Sequence, residues 1–94
     1  MEAIRLDVPV LPNGFRLHWD KVRERYVIVF PEGAVALNPT AVEVIELCDG
    51  KRTIEEIAAE LSARHQGADV LADVENLLLA LANRGLITDA SASA

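Results

Sequence analysis

The rhythm of apolar positions changes partway along this 94-residue chain. From Phe15 they alternate, with Phe15, Leu17 and Trp19 on one face of an extended segment and Arg16, His18 and Asp20 on the other, which predicts a half-buried strand. After the polar connection Lys21 to Glu24, the run Tyr26-Val27-Ile28-Val29-Phe30 is apolar on both faces and rich in β-branched and aromatic residues, as a central strand should be. Pro31-Glu32-Gly33 supplies turn chemistry, with Gly33 free to take positive φ, and Ala34 to Leu37 returns as a third strand. Three antiparallel strands leave that third strand with an exposed edge unless another element covers it.

Beyond Leu37 the period lengthens to that of helices. A first helix is expected from Pro39 to Leu47, with Asn38 or Thr40 as N-cap and Gly50 as the stop. A second opens with the capping box Thr53-x-x-Glu56, and its Ile54, Ile57, Ala58 and Leu61 form a buried stripe. A third follows a Gln66-Gly67 break and runs from about Asp69 to Arg84, closing with Gly85, with Val70, Leu71, Val74, Leu77, Leu78 and Leu81 on one wide face. Leu79 falls outside that face, among Ala72, Glu75, Asn76 and Asn83. It is either an isolated exposed leucine, which is ordinary, or part of a second contact surface with Ala72.

The ends read differently. Residues 1–14 carry Pro9, Pro12 and Gly14 within an apolar tract that includes Ile4, Leu6, Val8, Val10 and Leu11, which predicts an extended arm packing on its own core or on a neighbouring chain. Residues 88–94 read as a disordered tail, leaving residues 15–87 as the domain. The fold class expected is α+β and winged-helix-like: a three-stranded antiparallel sheet followed by a three-helix bundle.

Charge then narrows the partners. The formal net charge is −6, and residues 1–37 are balanced, so the whole excess lies in the helical half. An acidic helical half makes nucleic acid a poor partner, and the last helix offers one base, Arg84, for reading a groove. The bases Arg16, Lys21, Arg23 and Arg25 could instead meet an acidic peptide or protein. No segment approaches the roughly 20 continuous apolar residues that span a bilayer, and the N-terminus lacks the pattern of a secretory signal, so a soluble cytoplasmic protein with no membrane partner is expected.

Catalytic chemistry finds no foothold. Cys48, the single cysteine, excludes an internal disulfide and has no His near it in sequence, which favours a structural role. His18 and His65 stand far apart, so no metal site is expected, and His65 suits the negative end of the second helix. Phosphate-binding glycine loops and a nucleophile elbow are both missing. Catalytic residues, cofactors and metals are therefore all expected to be none. What remains is an interaction module whose third strand could accept an extended peptide by β-augmentation, with the third helix as the other wall. A structural or dimerisation module, pairing through the same edge and the N-terminal arm as a homodimer, is the alternative.

The order Arg16-Leu17-His18-Trp19-Asp20, Tyr26 to Phe30 followed by Pro31-Glu32-Gly33, Leu37-Asn38-Pro39-Thr40, Cys48-Asp49-Gly50, Thr53-Ile54 and a Leu-rich last helix ending in Arg84-Gly85-Leu86 resembles the PqqD family over residues 15–87. The resemblance implies a peptide-binding protein of pyrroloquinoline quinone (PQQ) biosynthesis, a precursor peptide recognition element. Such a protein binds the ribosomally made peptide PqqA and presents it to the radical SAM enzyme PqqE, which joins a glutamate and a tyrosine side chain of that peptide. It further implies peptide contacts at Ala34, Val35, Ala36 and Leu37 and along Leu71, Glu75, Leu78, Leu79 and Ala82. The family pattern has a basic residue just before Leu-Asn-Pro, where this chain has Ala36. Either Arg16, Lys21, Arg23 or Arg25 substitutes for it, or the peptide is held mainly through its backbone.

Overall fold

The computed structural model describes residues 6–90, in the order β1 (Pro9–Val10), β2 (Arg16–Asp20), β3 (Arg25–Phe30), β4 (Gly33–Ala36), α1 (Pro39–Glu46), α2 (Ile54–Arg64), α3 (Leu71–Asn83) and β5 (Thr88–Asp89). The antiparallel sheet β2-β3-β4 and the three helices form the mixed α+β arrangement that the apolar rhythm predicts. Register puts Leu17, Ile28 and Val35 in one row on the inner face, and Ile28 is completely buried there. The helices meet this face through Val44 and Ile45 of α1, Ile57 and Leu61 of α2, and Val74, Leu78 and Leu81 of α3. Each such side chain stabilises the fold by about 1.5–3 kcal/mol relative to its exposed state. On the outer face the rows are Arg16-Val29-Ala34 and His18-Val27-Ala36.

Helix ends follow local chemistry. Asn38 is the N-cap of α1, its Oδ1 accepting from the Ala41 amide at 2.8 Å, and Pro39 fits the first turn because its missing donor is not needed there. The capping box of α2 forms as expected: Thr53 Oγ1 accepts from the Glu56 amide at 3.1 Å and Glu56 Oε1 from the Thr53 amide at 2.9 Å. At its start α3 differs from expectation, beginning at Leu71 behind Val70, which provides no side-chain cap. Its buried face therefore carries most of its stability. Its end is a Schellman motif, with the Leu86 amide donating to Leu81 O at 2.9 Å, the Gly85 amide to Ala82 O at 3.0 Å, and Gly85 at φ 74°.

Over the described residues the N-terminal arm packs on its own chain, one of its two expected placements, and residues 88–90 of the expected tail join the fold. β1 pairs antiparallel with β5, Pro9 opposite Asp89 and Val10 opposite Thr88, so the two ends of the chain close on each other. The Ala90 amide donates to Val8 O at 2.8 Å, the Gly50 amide to Pro9 O at 3.2 Å, and Leu6 is buried in the core. Gly50 has φ 78°, and a Cβ there would meet Val10 Cγ2 at 3.2 Å, so a side chain at that position would strain both backbone and packing. Ile4 and residues 91–94 lie outside the described residues.

Candidate functional site: an open strand edge beside an apolar groove

The hairpin Pro31-Glu32 returns the chain as β4, the last strand of its sheet. The Leu37 amide donates to Tyr26 O at 3.0 Å, so residues opposite the inward-bonding Tyr26, Ile28 and Phe30 turn their backbone groups toward β3. By antiparallel alternation, Ala34 and Ala36 turn theirs outward. Both alanines are exposed, and no strand among the described residues pairs with that side of β4. Two donors and two acceptors are thus presented in strand geometry, flanked by methyl groups small enough for another backbone to approach. Val35 and Leu37 point the other way, half-buried against the core.

Where β4 ends, the chain runs through Leu37 into a groove of about 440 Å³ between the start of α1, the end of α2 and the start of α3. Val44, Leu61, Val74 and Leu77 make its apolar floor, while Asn38, Thr40, Glu43, His65 and Asp73 make a polar rim. His65, the C-cap of α2, meets Glu43 Oε2 through Nε2 at 2.8 Å, tying α1 to α2 at the rim.

The helix residues implied by the family resemblance are not gathered here. The Asp73–Leu77 flank of α3 faces the groove, whereas Leu71 faces a smaller depression against α2 with Ala58, Ala59 and Ser62. At ~100° per residue Leu79 lies about 160° around α3 from Leu77, and Glu75 and Ala82 share the side of Leu71. Leu78, on the same side of the wheel as Leu71, is completely buried in the core. None of the residues lining the groove is among those implied by the resemblance; on α3 they are Asp73, Val74 and Leu77. Leu77 had been merged into the wide core face, and only the position of α1 separates the groove side of that face from its centre. Leu79 is exposed, as is Leu71.

Arg16, Lys21, Arg23 and Arg25 lie on β2 and its hairpin with β3, on the opposite side of the sheet from the β4 edge. Two strand spacings separate the edges, roughly 10 Å. Chemically the site offers backbone hydrogen bonds and apolar contact. Cys48 is elsewhere, buried, its Sγ donating to Val44 O at 3.2 Å, and burial pushes its thiol up to about 12. Among the described residues no cluster of His, Cys, Asp and Glu could hold a metal ion. Among the described residues no helix is long and apolar enough to cross a membrane.

Residues 25–87 match the family model of coenzyme PQQ synthesis protein D, PqqD. A PqqA binding protein of Rhodopseudomonas palustris strain BisB5 is 38% identical over 88 residues, covering 92% of this chain and 86% of the relative. One from Methylococcus capsulatus is 35% identical over 74 residues, covering 79% and 80%. A bifunctional coenzyme PQQ synthesis protein C/D of Methylorubrum extorquens is 37% identical over 83 residues, which are 86% of this chain and 22% of that longer protein. Among solved structures, the solution structure of the PqqD truncation of Methylobacterium extorquens PqqCD, described as a functional, stand-alone recognition element for ribosomally synthesized and post-translationally modified peptides, has TM-score 0.74. It is 35% identical, with 90% of this chain and 94% of that one covered. Sequence, fold and relatives agree, and this chain belongs to the PqqD family.

Proposed function

We propose that this protein is an adaptor without turnover of its own, which binds the precursor peptide PqqA as an added strand along β4 and presents it to PqqE in PQQ biosynthesis. The observation that carries the reading is the outward pair of alanines, Ala34 and Ala36, on an unpaired edge leading into an apolar groove. Its biological context comes from relatives named PqqA binding proteins. Backbone hydrogen bonds would supply affinity with little sequence demand, and alternate side chains of the peptide would meet Val35 and Leu37 on the inner side. A peptide continuing past Leu37 would meet the groove flank of α3 at Asp73 and Leu77, with Leu71, Glu75, Leu79 and Ala82 kept as the proposed contacts on the other side of that helix. Holding a flexible peptide on a fixed platform raises its effective concentration at an enzyme's active site. The cytoplasm is the proposed compartment.

The competing reading was a dimerisation module that pairs through the edge and the N-terminal arm. The adaptor reading is favoured over it by the N-terminal arm, whose residues 7–10 bond within their own chain. An amide-shift titration with PqqA peptide tests the proposal. Shifts are expected at residues 33–38 and along the groove flank of α3. Shifts confined to β1, β5 and the α1–α2 loop would overturn it, and so would a dimer in sedimentation whose mass and spectrum ignore the peptide.

A further inference from the structure

Opposite the β4 edge, the β2–β3 hairpin has features that strand addition does not use. Residues 16–25 carry four bases, Arg16, Lys21, Arg23 and Arg25, against two acids, Asp20 and Glu24. That is a local charge of +2 on a chain of −6, so the remainder carries −8. Arg23 is bridged to Asp20 at 3.4 Å, while Arg16, Lys21 and Arg25 make no ion pair among the described residues. Large apolar groups stand among these charges: Trp19 is 44% exposed and Val22, at the tip, 90%. The tip is held in shape, since Asp20 Oδ1 accepts from the amides of Val22 at 3.0 Å and Arg23 at 3.2 Å. Trp19 is braced edge-on against Tyr26, ring centroids 5.0 Å apart. Rigid, exposed aromatic and basic groups are the side chains that most often dominate protein interfaces, because little entropy is lost when they are covered.

We propose that this hairpin is a second docking surface, which takes a folded protein partner through an acidic face bearing an apolar slot for Trp19 and Val22, while β4 stays free for peptide. A local positive end on a chain whose remainder is net negative orients such a partner toward the hairpin. The same field disfavours a nucleic acid, whose long run of phosphates would extend past the hairpin into the negative remainder. Opposite edges of one sheet let both ligands bind together, as presentation requires. In that respect the proposal rests on the adaptor reading above.

The test uses the full chain, PqqE as the protein probe, PqqA peptide and a DNA duplex. Trp19→Ala, Lys21→Glu with Arg25→Glu, and Lys21→Glu with Val22→Asp are compared with the wild type by calorimetry, with amide spectra to establish folding. The last pair alters only exposed side chains, so its fold is expected to survive even if Trp19→Ala loosens the hairpin. Expected are at least tenfold weaker PqqE binding in each variant, PqqA affinity within twofold of wild type, and a wild-type PqqE affinity that falls with salt more steeply than that of the charge-reversed variants. Undiminished PqqE binding by folded variants overturns the hairpin surface alone. Absent wild-type binding to PqqE removes the presentation reading and this surface with it. Duplex binding that the variants abolish overturns the choice of an acidic protein in favour of a polyanion.

Discussion

The two edges of one three-stranded sheet, β2 and β4, share the same central strand and the same core, yet they offer opposite chemistry. On β4 the outward backbone belongs to Ala34 and Ala36, with no charge between Gly33 and Leu37. On β2 alternation turns the backbone groups of Leu17 and Trp19 outward, but Arg16, His18 and Asp20 alternate with them and the hairpin adds Lys21, Arg23 and Arg25. Charged side chains on an edge are a common defence against unwanted strand pairing. The comparison teaches that hydrogen-bonding capacity is similar on both sides while side-chain size and charge differ, and on that difference rest the proposals of strand addition at β4 and side-chain docking at the hairpin.

The strongest way to break this comparison is to remove what both edges share. Ile28→Ala, in the fully buried centre of β3, is expected to cost about 2–5 kcal/mol, read by denaturant titration, and to weaken binding at both edges together. Loss at one edge only would show that the edges do not depend on a common sheet. A sharper cut is Ala34→Pro with Ala36→Pro. Those amides point away from β3, so the ladder is kept while the outward donors disappear. PqqA affinity should fall at least tenfold, about 1.4 kcal/mol, with hairpin binding unchanged, and unchanged PqqA affinity would sink strand addition.

The smallest effect concerns the hairpin's own rigidity. Amide donors from Arg23 and Val22, with the Arg23 guanidinium, hold the Asp20 carboxyl below its ordinary value of 3.8. A lowered carboxyl pKa contributes stability that is fully present above 3.8 and lost as pH falls through the lower folded value. Trp19 fluorescence should therefore stay flat from neutral pH down to about the ordinary carboxylate range and change only below it. In Asp20→Asn the acid transition should vanish. The β4 edge carries no titratable group between Gly33 and Leu37, so its backbone amides should show no transition of their own in the same window.

Much of the fold could be read without coordinates, for reasons that differ from element to element. The strands around Leu17, Ile28 and Val35 announce themselves because a sheet with one buried face imposes a two-residue period. Thr53 and Glu56 form their capping box because both partners lie within one turn. The pairing of β1 with β5 was not legible, since each has two residues and the bond from Val8 N to Asp89 Oδ1 spans 81 positions. Leu77 and Leu79 stand two residues apart in one leucine-rich helix, and only the placement of α1 across the groove makes one a groove wall while the other stays exposed.

By itself the sequence determined the elements, their caps, the central place of Tyr26 to Phe30, the poverty of catalytic groups and the family resemblance, because each depends on neighbours within a few residues or on residue type. Tertiary structure decided which side of α3 faces a groove, that Leu6 and Pro9 are buried where the two chain ends meet, and that the basic hairpin lies across the sheet from the alanine edge. Those are relations between distant segments. They follow from how helices and strands fill space together, which no local period records.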